Sequence, residues 1–383
     1  MRAMMLSIVI PCLNEEQTLG LVVKKAKASL KRLGIEGEVI VADNGSTDRS
    51  IAIAEELGAR VVHVPQRGYG CALIAGMQAA RGKCLLMGDA DDSYNFEEID
   101  PFLEEIEKGY DLVMSTRLKG RIEPGAMPFL HRYLGTPVLT FLLNRLFKLK
   151  ISDCNSGMRC LTKEAFERLR LSSQGMEFAS EMLIKSGLLH LKIKEIPITL
   201  YKDKRNRPPH LNTWSDGWRH LKFMFLYSPK YLFLVPGLAF MVLGFFLMLI
   251  LFRGPVEVSG IVFDTHSSLL GSLLAILGYQ LLITGMQARA FAQTQPFQFK
   301  DTTLASFYKC FSLERGLVLG LLLFAVGFGC DVFVVYEWIQ AGFKNLNEAN
   351  LLALTSTLMI LGIQTCFASF FVQILRDSDQ RRR

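Results

Sequence analysis

Two aspartates one residue apart, Asp89 and Asp91 in Gly88-Asp89-Ala90-Asp91-Asp92, carry the sharpest chemical signal in the chain. Carboxylates two apart just past a buried strand can point at one cation, and oxygen ligands of this kind suit Mg²⁺ or Mn²⁺. A metal held there would bind the diphosphate of a nucleotide. The plain alternative for such a pair taken alone is a solvated acidic turn. Two further polar clusters follow apolar runs: Pro11-Cys12-Leu13-Asn14-Glu15 and Asp43-Asn44-Gly45-Ser46-Thr47-Asp48. The P-loop pattern is absent, and Gly68-Tyr69-Gly70 lacks the third glycine of the dinucleotide fingerprint. We read that glycine pair as a loop that approaches something closely.

The clusters need elements to position them, and the first half of the chain supplies an alternation of β-rich and helical patterns. Candidate strands run from Met5 to Ile10, Glu38 to Ala42, Arg60 to Val64, Lys83 to Met87 and Asp111 to Ser115. Between them lie candidate helices from Glu16 to Leu33, Ser50 to Leu57, Cys71 to Arg81 and Glu97 to Lys108. This order predicts an α/β domain whose mostly parallel sheet is joined by crossover helices. Ligands of such sheets bind beyond the carboxyl ends of the strands, where the polar clusters fall.

The second half is different in kind. Half of the 383 residues are apolar, and beyond Lys230 they gather into four runs near the roughly 20 residues that span a bilayer. The runs are 231–252, 268–286, 316–339 and 351–375, which divides the chain into a domain of residues 1–230 and an all-α transmembrane domain of residues 231–383. Lys222, Lys230, Arg289, Lys300, Lys309, Arg315, Arg376 and Arg381 to Arg383 flank the runs on one side, against Arg253 and Lys344 on the other. Positive residues stay inside, so both ends and the large domain are expected in the cytoplasm, at a prokaryotic plasma membrane. The net charge of +7 collects beside the apolar runs, which favours a membrane surface as partner over nucleic acid. Eight scattered cysteines without a C-x-x-C pair read as reduced and structural.

Two other segments read as interfacial helices, at 131–150 and 213–227. The first sets Leu139, Leu142, Leu143, Leu146 and Phe147 at helical spacing beside Arg132, Arg145 and Lys148, and the second carries Trp214 and Trp218. Ordinary amphipathic helices of the α/β domain are the alternative for both. Asp331 lies inside the third run, toward its outer end, where hydration explains it better than a role.

The order VIPCLNE, VADNGSTD, GYGCAL, MGDADDS, MSTRLKG and DCNSGMR resembles the family-two glycosyltransferases of GT-A fold, and specifically the polyprenyl-phosphate (dolichol-phosphate) mannosyl- and glucosyltransferases. The likeness covers roughly Met5 to Tyr227. It implies a hexose moved from a UDP- or GDP-linked donor to a polyprenyl-phosphate lipid. It also implies that Pro11, Glu15 and Asp43 hold the nucleoside and that Asp89 and Asp91 hold Mg²⁺ or Mn²⁺ and the diphosphate. Arg117 is implied in phosphate contact, and Arg132 with Thr136 in binding the lipid phosphate. Asp153, Ser156, Gly157 and Arg159 match the family's D-x-x-S-G-x-R. Leu13 stands where many relatives carry an aromatic, Asn44 replaces the second aspartate of D-D-G-S, and Ser93 replaces an amide sometimes found after D-x-D.

Chemistry of this kind requires charge more than a base, because a phosphate monoester is already an oxyanion at neutral pH. A metal on the leaving diphosphate and the arginines Arg117 and Arg132 on the acceptor would supply it, in one inverting displacement. Glu177 and Glu181, four apart on a candidate helix, could reach sugar hydroxyls or orient the acceptor, or else form a plain helix-surface pair. The loop Tyr201 to His210 carries Lys202, Lys204, Arg205 and Arg207, suited either to a diphosphate or, for most of those charges, to anionic lipid. A processive polysaccharide synthase would normally bring Q-x-x-R-W, and no arginine precedes Trp214, Trp218 or Trp338. A non-catalytic lipid-phosphate-binding subunit is the other alternative, opposed by intact Asp89, Asp91 and Arg117. A homo-oligomer is compatible with either reading.

Overall fold

The computed structural model describes residues 5–205, 213–293, 304, 306–308, 311–343 and 348–380. Expectations for Arg207, Lys300, Lys309, Lys344, Arg381 to Arg383 and the side chain of Trp214 lie outside the described residues. The chain forms two compact units, Met1–Tyr227 and Ser228–Arg383.

In the first unit the strands β1 (Leu6–Cys12), β2 (Gly37–Asp43), β3 (Arg60–His63), β4 (Cys84–Met87), β5 (Leu112–Ile122), β6 (Arg159–Thr162) and β7 (Ile193–Leu200) build one sheet. Its order is β3-β2-β1-β4-β6-β5-β7. Only β6 runs against its neighbours, pairing antiparallel with β4 and β5. The first five strands match the expected runs, whereas β6 and β7 come from the structure alone. Four residues beginning with an arginine are too short to display the period of two that marks a strand.

Alternate residues of β1 feed two cores. Leu6, Ile8 and Ile10 face α1 (Leu19–Leu33) through Leu19, Val22, Val23, Ala26 and Leu30, a spacing of three and four that lays one helical stripe on the sheet. Val9 faces the other way, toward Leu73 and Met77 of α3 (Tyr69–Ala79) and Phe178 and Met182 of α7 (Phe178–Leu188). The remaining helices here are α2 (Ser50–Glu56), α4 (Asp100–Glu107), α5 (Thr136–Phe147), α6 (Lys163–Leu169) and α8 (Thr213–Leu226). Because strand order turns back at β1, the loops after β1, β2 and β4 converge at one carboxyl edge.

The interfacial reading of 131–150 changes in detail. A π-helical turn, His131–Gly135, opens α5, and Leu143 and Phe147 are buried in the core while Leu139, Leu142 and Leu146 pack against it. The apolar face expected at the headgroups therefore faces the domain instead. Phe129, Tyr133 and Phe141, at 77%, 59% and 66% exposure, form the outward surface with Leu134 and Val138. On α8, Trp218 is exposed and Met224 is buried.

The second unit holds the four apolar helices, which make this an integral membrane protein. They are α9 (Val235–Leu251), α10 (Thr265–Gln293), α11 (Leu313–Gln340) and α12 (Ala349–Gln380), with a short hairpin of β8 (Val256–Val258) and β9 (Ile261–Phe263) after the first. Glycines bring helices together in pairs. A Cβ on Gly244 of α9 would overlap the α10 backbone at Gly271 and Ala275, and one on Gly320 of α11 would meet Gly362 and Cys366 of α12. Lipid tails offer no hydrophobic drive between helices, so small-residue faces and hydroxyl contacts must do the holding. Ser272 and Thr357 join α10 to α12 at 2.7 Å, and Tyr279 meets Thr365 nearby. Asp331 accepts a hydrogen bond from the Thr355 hydroxyl, giving it a protein partner. The described cysteines are free thiols.

Candidate active site

Asp89 and Asp91 leave the end of β4 into very different surroundings. Asp89 accepts from the Tyr69 hydroxyl at 2.9 Å, and its other oxygen lies where a Cβ on Gly157 would come within 2.5 Å. Burial and the neighbouring Asp91 charge push the Asp89 carboxyl up to about 7, against the opposing pull of the Tyr69 hydrogen bond and of Arg205 and Arg117. Asp91 Oδ1 accepts from the Ser93 amide at 3.0 Å and from its hydroxyl at 2.6 Å, which fixes the carboxylate's orientation. Two hard carboxylates, both half-buried, suit an oxygen-preferring divalent cation that would take its remaining ligands from diphosphate and water. Among the described residues no group of three or more acidic, histidine or cysteine side chains forms a ready-made cage.

The loops of β1 and β2 close the same edge. Glu15 is buried, its amide donating a hydrogen bond to the Ser50 hydroxyl at 2.8 Å, and Pro11 is half-buried near the end of β1. Asp43 turns its carboxylate onto the Gly45 and Ser46 amides at 3.2 and 3.1 Å, shaping the turn after β2. Asn44 donates to the carbonyls of Val64 and Gln66 at 3.2 and 2.8 Å and accepts from the Gly68 amide at 2.6 Å. Only an amide can give and take in that way. The glycines of Gly68-Tyr69-Gly70 are explained by backbone: a Cβ on either would overlap the carbonyls of Gln174 or Ser173, and the Gly70 amide donates to Gln174 at 2.8 Å.

Arg117, expected to meet the acceptor phosphate, is locked. Its Nε and Nη2 donate to the two oxygens of Asp153 at 2.7 and 2.8 Å, and Asp153 is fully buried. Glu195 of β7 holds the loop beneath, accepting from the Ser152 and Asp153 amides at 2.6 and 3.3 Å. Sequence reasoning missed Glu195, whose position in a strand gave no local signal. Burial holds the His131 pKa below its ordinary value, and the Arg117 charge adds to the effect. Arg132, the next residue, is exposed and lies over the Tyr133 ring at 5.3 Å. Thr136 is only 2% exposed, so its hydroxyl is not on the surface that bears Arg132.

Four other candidates are engaged by bonds within the domain. Arg159 is fully buried and donates to the carbonyls of Ser156, Ala179 and Cys154 at 2.8 to 3.0 Å, clamping its loop. Ser156 is buried against the Ser115 hydroxyl. Glu181 accepts from the Ser172 and Ser173 amides and pairs with Lys185 at 2.7 Å. Burial alone would raise its pKa, but Lys185 and the two amides outweigh that and hold it low. Glu177 closes its own turn by accepting from the Gly175 amide at 3.1 Å. In contrast, Arg205 enters the site: it contacts Glu15 and Asp91, both at 3.0 Å.

Comparison with known proteins places this geometry. Residues 7–170 match the description "Glycosyl transferase family 2", and residues 286–376 match "Glycosyltransferase family 2 C-terminal transmembrane region". The low-salt glycan biosynthesis hexosyltransferase Agl6 of Haloferax volcanii is 38% identical over 369 residues, covering 96% of this chain and 88% of that protein. The dolichyl-phosphate hexose transferase of the same organism is 31% identical over 193 residues, or 50% and 81% of the two chains. Among solved structures, glucosyl-3-phosphoglycerate synthase from Mycobacterium tuberculosis with Mn²⁺ and UDP-glucose gives a TM-score of 0.47 at 25% identity, covering 58% and 78%. With the motifs at one sheet edge and similarity along nearly the whole chain, the protein belongs to the family 2 glycosyltransferases, as a member that carries the family's C-terminal transmembrane region.

Proposed function

We propose that the chain transfers a hexose from a nucleotide-sugar to a polyprenyl phosphate at the cytoplasmic face of a prokaryotic plasma membrane, with inversion at the sugar. The hexose is suggested by the names of both Haloferax volcanii relatives, and the lipid acceptor by one of them. The observation that carries the lipid reading is the outward surface of Phe129, Tyr133, Leu134 and Phe141. Arg132 rises from it, next to a histidine that feels Arg117. Aromatic and apolar side chains beside an arginine suit the headgroup depth, where a lipid phosphate would arrive.

Mg²⁺ or Mn²⁺, held by Asp89 and Asp91, would neutralise the leaving diphosphate. The protein's own contribution is charge placement. Arg205 bonds Asp91 at 3.0 Å and Arg117 is fixed by Asp153, so one positive group would be available to the diphosphate and another to the acceptor. The acceptor oxyanion attacks the anomeric carbon, its new C–O bond forming as the bond to the diphosphate breaks. No side chain has to remove a proton, because the second pKa of a phosphate monoester is about 6.

Purified protein given UDP- and GDP-hexoses with polyprenyl phosphate should yield a lipid product whose mass includes one hexose and one phosphate. Arg132→Ala should slow transfer by roughly 10- to 150-fold at limiting lipid, the loss of one charged hydrogen bond. Donor affinity should be unchanged. A variant that weakened donor binding while leaving the lipid dependence intact would reverse the assignment of this helix.

A further inference from the structure

One of the two carboxylates given to the metal, Asp91, already has a cation, and the chain itself supplies it. Arg205 follows β7, and its Nη1 donates to Glu15 at 3.0 Å while its Nη2 donates to Asp91 Oδ2 at 3.0 Å. Its fork is steadied from behind by Asp203, whose oxygens accept from Nε and Nη2 at 2.6 to 2.9 Å. Lys204 reaches Asp92 at 2.5 Å, a buried carboxylate that also holds Lys25 at 2.7 Å. The Arg205 and Asp91 side chains are each 14% exposed, which keeps screening weak between them.

We propose that Arg205 is a built-in counter-cation: it neutralises Asp91 and Glu15 while the donor is absent, and passes to the diphosphate when donor and divalent cation enter together. The inference rests on the reading of Asp91 as a metal-holding residue. A guanidinium and a divalent ion cannot share Asp91 Oδ2 without like-charge repulsion, so a metal arriving alone must evict Arg205 without compensation. A nucleoside diphosphate changes the balance. It brings negative oxygens that accept both cations, and a planar fork matches phosphate oxygens well. Asp203, two residues away on the same segment, can keep its bond to Arg205 through the exchange. Metal and nucleotide thereby assist each other, a coupling that is reciprocal by linkage. The arrangement also keeps the acidic site from collecting free cations without donor.

The test is equilibrium Mn²⁺ binding to the full-length, detergent-solubilised protein, read from the electron paramagnetic resonance of free Mn²⁺, with and without UDP or GDP. Arg205→Ala should bind Mn²⁺ alone about 10-fold more tightly, because the competitor is gone. The same variant should bind Mn²⁺ with nucleotide about 10-fold more weakly, because a phosphate contact is gone. A loss of folding would weaken both, so the opposite signs mark the proposed role. Unchanged or weaker binding of Mn²⁺ alone would overturn it. Asp91→Ala, measured in parallel, separates the two ideas. If it keeps full Mn²⁺–nucleotide affinity, the metal assignment fails and takes the counter-cation with it. If it loses that affinity while Arg205→Ala changes nothing, only the counter-cation is wrong.

Discussion

At position 44 a carboxamide stands where the family motif carries a second aspartate, and its neighbours account for the change. Asn44 gives two protons to carbonyls and takes one from an amide, tying the loop after β2 to the chain that leads into α3. Asn44→Asp would set a buried carboxylate against the Val64 and Gln66 oxygens. Each lost partner costs about 1–3 kcal/mol. The variant should therefore melt several degrees below the parent in a thermal scan, and an unshifted midpoint would mean that the loop tolerates the charge. The same scale shows what a reader of the sequence can see. Asp89 and Asp91 announce themselves because they are two apart. The Arg205–Asp91 contact joins residues 114 apart and the Arg117–Asp153 contact residues 36 apart, so neither leaves a local pattern. Glu181 is opaque for a related reason: helical spacing sets it four from Glu177, and its bonds to the Ser172 and Ser173 amides leave no mark in that spacing.

Among the elements, those with a clean period were legible and those without one were not. Strands β1 to β5 and helix α1 follow from alternation and from three-and-four spacing. The reversed strand β6 does not, and the apolar face of α5 was assigned to the wrong medium. Its leucines fit a membrane interface and a protein core equally well, and only packing decides. Helix α8 offers a test of how its docking depends on pH. His220 lies against the Ser180 hydroxyl of α7 at 2.7 Å and is 7% exposed. Burial lowers its pKa, Arg159 adds to the effect, and Asp216 and Glu177 oppose it. The unfolded chain then binds the proton more readily, so this stability is present above the unfolded value of about 6.5 and lost as pH falls below it. Between pH 7 and 5 the parent should lose stability faster than His220→Gln, by up to about 1.4 kcal/mol per pH unit. Parallel denaturation curves for the two proteins would show that the docked histidine carries no such linkage.

For the whole molecule, the flanking charges imply a definite topology. A reporter fused after Arg383 should be cytoplasmic and one near Gly254 external; an external C-terminus would mean that a span has been miscounted. The membrane half also contains two kinds of surface with different freedom. Toward lipid it shows Leu, Val and Phe side chains such as Val318, Leu321 and Phe367, which are interchangeable because the bilayer asks only for apolarity. Between paired helices it shows Gly244, Gly271, Gly278, Gly320 and Gly362, where any added carbon meets backbone. Every single-base change in a glycine codon that alters the residue adds a side chain or ends the chain. Inheritance should therefore act on the two surfaces at unlike speeds: the outer residues can drift freely among apolar types, while the glycine seams admit almost no first step and hold each helix pair in register across long descent.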